Sequence, residues 1–213
     1  MFHNAKAETF INEQTSFLQL KKWDSSESRG LGFRFKTFLS DALLLYMDDE
    51  GKSNFLRVEL FQGKLRLTCS YGARFGAMAV EIGDDLNDLL WHRVLLERSR
   101  DKTTISLDSQ SKSTVNSHEN TNLNIESSMY FGGIPTARLA ANSVTQPSVL
   151  LLHRFVGCIT DIDMFEYSAR QGKRRSAVVE NSTEIIPGCT DMCEIDNKCQ
   201  NNGMCLKIGR AHV

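Results

Sequence analysis

The chain has 213 residues, with 25 Lys and Arg against 26 Asp and Glu, 41% hydrophobic residues and six Cys. That length accommodates one domain with a full core plus a smaller piece, and a formal charge of −1 excludes a nucleic-acid binder, which needs a basic excess. No apolar run reaches the roughly 18–20 residues of a membrane-spanning helix. Residues 1–9 lack the charged-then-apolar pattern of a secretory signal and read as an N-terminal extension. From Ser16 to Met164 the hydrophobic period is two. Leu31, Phe33 and Phe35 alternate with Gly32, Arg34 and Lys36, the pattern of a half-buried strand. The continuous run Ala42 to Met47 predicts a strand buried on both faces, and Asp48-Asp49-Glu50-Gly51 predicts the turn after it. Phe55 to Phe61 and Lys64 to Cys69 alternate on either side of Gln62-Gly63, which predicts a hairpin. Further strands are expected at Trp91–Arg98, Thr103–Leu107, Ser128–Phe131 and Arg154–Phe165. Ser109 to Glu126 is polar and reads as a long surface connection with at most one edge strand, and Glu166 to Ile186 as an irregular tail. No segment supports a sustained amphipathic helix. The predicted fold is all-β, an antiparallel two-sheet sandwich.

Catalytic signatures are missing. There is no Gly-x-Ser-x-Gly elbow, phosphate-cradling glycine loop or His-Glu-x-x-His pair. His92, beside Trp91 on a predicted strand, has no nucleophile motif near it and reads as a structural imidazole. The acidic pairs Asp84-Asp85 and Asp48-Asp49 resemble a glycosidase carboxylate pair only superficially, since acids at turns commonly cap backbone amides. No enzyme is expected.

The cysteines are unevenly placed. Cys69 lies on an alternating strand and reads as a buried free thiol, whereas four cysteines fall between Cys189 and Cys205. The late spacings lack a Cys-x2-Cys knuckle, which disfavours zinc. Cys193-x5-Cys199-x5-Cys205, ending in Asn202-Gly203-Met204-Cys205, resembles the first half of an EGF-like module, here residues 190–207. That resemblance implies a Cys193–Cys205 bond and leaves Cys199 needing a fourth cysteine that this chain does not contain. It leaves Cys158 and Cys189 to pair and pin the tail onto the last strand. Disulfides in turn imply an oxidising, extracellular compartment. Ile208 to Val213 resembles translated adapter sequence, and residues 208–213 are set aside as a scar.

Several blocks, in order, resemble laminin G (LNS) domains. They are Gly30 to Thr37, Leu43 to Tyr46, Phe55 to Leu60, Gly63 to Leu67, Asn87 to Val94, Phe131 to Pro135 and Phe155 to Ile162. The resemblance spans residues 10–189 and implies a jelly-roll-like, concanavalin-like sandwich that binds protein or glycan partners through a loop rim. Lys21-Lys22-Trp23, the Asp48 to Gly51 turn and the EGF-like half are most similar to the first LNS domain of the α-neurexins. This implies a non-catalytic ectodomain piece of a presynaptic, membrane-anchored adhesion receptor. The alternative is an extracellular-matrix protein of the laminin, agrin or perlecan type.

Many such domains hold Ca2+ at the rim with one carboxylate and several backbone carbonyls. The resemblance places the carboxylate position on Asn54 and the carbonyl positions near Tyr71, Asn122 and Asn124. A neutral amide in place of a carboxylate implies weak or absent Ca2+ binding, with Asp48, Asp49 or Glu50 as substitutes. Two smaller features complete the set. Lys173-Arg174-Arg175 is a candidate heparan sulfate contact, and Asn181-Ser182-Thr183 is the one N-glycosylation sequon.

Overall fold

The computed structural model describes residues 7–25, 29–72, 76–99, 102–115, 123–140, 143–167 and 172–190. Cys193, Cys199 and Cys205, and with them the EGF-like half, lie outside the described residues, as does Asn122.

Two antiparallel sheets pack face to face. One runs β10 (Gln110–Val115), β9 (Lys102–Leu107), β8 (His92–Arg98), β3 (Arg29–Lys36), β12 (Gly157–Tyr167), β1 (Glu8–Phe10) and β15 (Ile185–Pro187), with β13 (Gly172–Ser176) also paired to β12. The other runs β14 (Val179–Thr183), β2 (Phe17–Leu20), β11 (Met129–Phe131), β4 (Ala42–Asp48), β5 (Asn54–Phe61), β6 (Lys64–Tyr71) and β7 (Ala77–Ile82).

Alternation decides what each strand gives to the interior. Leu31, Phe33 and Phe35 of β3 face Leu44, Met47, Leu56, Val58 and Leu67 from the opposite sheet across one continuous core. Phe33 meets Phe131 edge to face at 5.2 Å, and Phe10 meets Phe155 likewise at 5.5 Å. Cys69 is buried in this core as a free thiol, and burial pushes its pKa up to about 11. Gly157 begins β12 at φ 141, where an added Cβ would run into the Lys36 carbonyl oxygen, so the chain crosses there only without a side chain.

The expected tail from Glu166 to Ile186 is corrected by the structure. Much of it is strand: β13 pairs with β12, β14 with β2, and β15 with β1. Little in its residues signals this, because β13 and most of β14 are exposed and the pairing comes from open sheet edges rather than from a hydrophobic period. A disulfide between Cys158 and Cys189, with Cα atoms 5.5 Å apart, ties the end of this tail to β12.

The outer face of the seven-stranded sheet is roofed. Residues 132–140 and 143–156, carrying the five-residue helix α1 (Thr136–Ala140) and a 3-10 turn (Pro147–Leu151), lay Ile134, Val144 and Val149 over Leu43, Tyr46, Phe55 and Tyr130. This second apolar cluster explains why every residue of β4 is buried.

A candidate recognition rim built on two buried carboxylates

β4 runs its apolar residues to Met47 and then delivers Asp48 and Asp49 to one end of the sandwich, where both are almost completely buried. A carboxylate taken out of water must find donors. Asp48 Oδ1 accepts from Arg138 at 2.8 Å and from the Glu50 amide at 3.2 Å. Its Oδ2 accepts from the Tyr46 hydroxyl at 3.0 Å and the Thr145 amide at 2.9 Å. The Asp48 carbonyl accepts from the amides of Glu126 and Ser127, and the Asp48 amide donates to Ser127 Oγ.

Asp49 closes the turn that follows. It accepts from the amides of Lys52, Ser53 and Asn54, from Asn54 Nδ2 at 2.8 Å and from Thr145 Oγ1 at 2.7 Å. Burial alone would raise its pKa. The bonds from Ser53, Thr145 and Asn54 outweigh that and hold the carboxyl below the ordinary carboxylate range. Glu50 at φ 59 and Gly51 at φ 94 make the left-handed reversal. Two adjacent acids therefore fasten residues 49–54, Glu126 with Ser127, and Arg138 with Thr145 to the end of β4. The sequence marks the acids but not their partners, since Ser127, Arg138 and Thr145 stand 79 to 97 positions away.

The implied calcium site fits this geometry poorly. A hard cation needs converging oxygens, preferably anionic. Asn54 directs its amide nitrogen at Asp49, and both Asp48 and Asp49 are engaged by N–H and O–H donors. Asn54 Oδ1 is the exception: it is buried and has no hydrogen-bond partner. Tyr71 ends β6 opposite Asn54, and its hydroxyl points inward to Thr103 at 2.7 Å and Arg98 at 3.1 Å. Asn124 is exposed on the segment leading to Ser127.

The family model described as Laminin G domain matches residues 35–166. The chain belongs to the laminin G domain family. Among curated relatives, zebrafish (Danio rerio) Neurexin-3a is 29% identical over 93% of this chain, and Drosophila melanogaster Neurexin 1 is 28% identical over 91%. This laminin G chain spans only 11% and 12% of those relatives' lengths. Among solved structures, domains LG4-5 of the mouse laminin alpha1 chain superpose with TM-score 0.69 at 20% identity, covering 88% of this chain and 47% of that one. The LG1-3 region of the laminin alpha2 chain gives 0.66 at 24% identity, with 86% and 34% covered.

The remaining sequence candidates sit elsewhere on the laminin G sandwich. His92 is clasped between Asp108 at 3.0 Å and Asp88 at 3.1 Å, joining two loops at the end opposite the rim. Lys173, Arg174 and Arg175 lie on β13, where alternation sends Arg174 to the opposite side from its neighbours. Asn181 is exposed on β14, an edge strand of the seven-stranded sheet.

Proposed function

We propose that the chain is a non-catalytic, extracellular recognition module of a neurexin-like adhesion receptor, and that it holds protein partners at the rim anchored by Asp48 and Asp49. The observation that carries this reading is the rim itself. Its loops are fixed by internal bonds to two buried carboxylates, which leaves Glu50, Lys52 and Asn124 on a surface whose backbone is already ordered. A preordered surface loses less entropy on binding. Neurexin relatives aligned over nine-tenths of the chain support the adhesion assignment over the laminin, agrin or perlecan alternative, and the Cys158–Cys189 bond supports an oxidising compartment. The anchor, the presynaptic location and the EGF-like continuation belong to the same proposal.

Calcium binding in this reading is weak or absent, because the rim has an amide where a carboxylate is needed. Heparan sulfate contact through residues 173–175 is a lesser part of the proposal, since alternation along β13 divides that basic run between two sides.

The test is a cell-surface binding screen with the full chain on a multivalent tag, in EDTA. Saturable binding that Glu50→Arg with Asn124→Arg abolishes, and that Leu151→Ser on the roofed face leaves intact, is the expected result. Binding indifferent to the rim pair would overturn the assignment.

A further inference from the structure

The end of the sandwich opposite the rim carries apolar side chains that the rim reading does not use. Phe38, Leu89 and Leu90 are 43%, 48% and 55% exposed there. The Leu89 amide donates to the Thr37 carbonyl at 3.1 Å, which sets the 84–92 loop against the residue before Phe38. Leu89 stands at φ 63, a left-handed conformation costly for a bulky side chain, yet that side chain gains little burial in return.

The loop is nevertheless firmly held. Leu86 is buried in the core, and its amide donates to the Gly63 carbonyl. Asp88 Oδ1 accepts from the Leu90 amide at 2.8 Å and meets His92 Nε2 at 3.1 Å, while His92 Nδ1 meets Asp108 at 3.0 Å. The His92 clasp therefore braces a loop that presents two leucines outward. A braced apolar surface loses little entropy when it is covered.

The path of the chain after β15 points to the occupant. Thr9, Cys158 and Lys36 are register partners on β1, β12 and β3, so their side chains share the outer face of the eight-stranded sheet. The disulfide lays Cys189 on that row, and the Thr190 amide donates to Thr9 Oγ1 at 2.9 Å. Three strand spacings separate this point from Leu89: Thr9 to Cys158, Cys158 to Lys36, and Thr37 to Leu89. At about 4.8 Å each they cover roughly 15 Å, which about five extended residues span.

The residues that follow Thr190 suit that surface. They are Asp191-Met192-Cys193-Glu194-Ile195-Asp196, with Met192 and Ile195 apolar, three acids and no base. Lys36 stands on the route, and among the described residues no carboxylate pairs with it. A segment tethered this close meets the leucines at a high effective concentration, an advantage that a second copy of the chain lacks.

We propose that residues 191–196 dock on the surface formed by Phe38, Leu89 and Leu90, with Met192 and Ile195 against the leucines and the acids toward Lys36. This contact fixes the direction in which the chain leaves the laminin G sandwich. It depends on these side chains, not on the EGF-like reading of the cysteines, and it is independent of the rim.

Photo-cross-linking in the full, oxidised chain tests it, with p-benzoylphenylalanine in place of Leu90 and the products mapped by mass spectrometry. A cross-link within one chain, from position 90 to residues 191–196, is expected. Met192→Ser with Ile195→Ser should lower its yield at least fivefold, and Lys36→Glu at least twofold. The same photoprobe in place of Leu151, 86% exposed on the roof, should not reach the segment. Products that join two chains with none inside one overturn the proposal, as does no product on residues 191–196. So does an equal yield from position 151, or a yield indifferent to the Met192 and Ile195 pair. Rim-dependent partner binding should survive Met192→Ser with Ile195→Ser, so the two proposals fail separately.

Discussion

The two outward faces of the sandwich solve opposite problems. Over the seven-stranded sheet, residues 132–140 and 143–156 fold back and bury Leu43, Tyr46 and Phe55 beneath Ile134, Val144 and Val149. Among the described residues nothing covers the eight-stranded sheet in this way: its outer side keeps an open groove among Arg34, Trp91, Arg93 and Phe165. The difference lies in what the outward positions carry. β4 and β5 present apolar groups on both sides and require a roof, whereas β3 presents Gly30, Gly32 and Arg34 outward and does not. The roof also has a second consequence. It brings Arg138 and Thr145 to Asp48 and Asp49, so covering the sheet and fixing the rim are one structural event.

The most severe way to break that contrast is Asp48→Ala. It leaves the Arg138 guanidinium, whose side chain is 11% exposed, without its carboxylate, and frees the Tyr46 hydroxyl and the Thr145 amide. A loss of about 3–5 kcal/mol is expected in urea unfolding. A loss under 1 kcal/mol would show that the roof holds without its ionic tie.

Replacing Cys158 and Cys189 together by Ala acts on the other sheet, where the bond closes a separation of 31 residues. A cost of about 2–4 kcal/mol is expected, read by the same unfolding curves with and without reductant. An unchanged midpoint would mean that β15 and its pairing hold the tail unaided.

Asp49 gives a pH signature. Its folded pKa is depressed, so its contribution is fully present above the unfolded value of about 3.9 and is lost as pH falls below that through the folded pKa. Asp49→Asn should lower stability at neutral pH and flatten the fall in melting temperature below about pH 4. Parallel acid profiles for the two proteins would contradict the assigned role.

The smallest effect is expected on β13. Lys173→Gln with Arg175→Gln changes exposed positions and should shift stability by less than about 0.5 kcal/mol. A salt-sensitive loss of heparin retention in that variant would restore the basic run as a glycan contact despite the alternation.

The sandwich was largely legible in the sequence because burial imposes a period. Leu31-Phe33-Phe35, the run to Met47 and the hairpin at Gln62-Gly63 all fold as their patterns require. Exposed edge strands leave no such trace, and β13 and β14 carry no hydrophobic period to mark them. At the rim, Asp48, Asp49 and Asn54 stood out as candidates, but their arrangement did not. Whether an acid at a turn faces a cation or the protein's own amides depends on residues brought from far along the chain, here Ser127, Arg138 and Thr145. The groove was hidden for a related reason: Arg34 opposite Arg93 is a fact of register, visible only once β3 and β8 are paired.

The central claim is that the rim's buried acids serve the protein's own donors rather than a metal. Calorimetric titration of Ca2+ into the full chain tests it most directly. No micromolar binding, and a melting temperature equal in Ca2+ and EDTA, is the predicted result. Micromolar affinity, accompanied by a rise of several degrees on adding Ca2+, would contradict it.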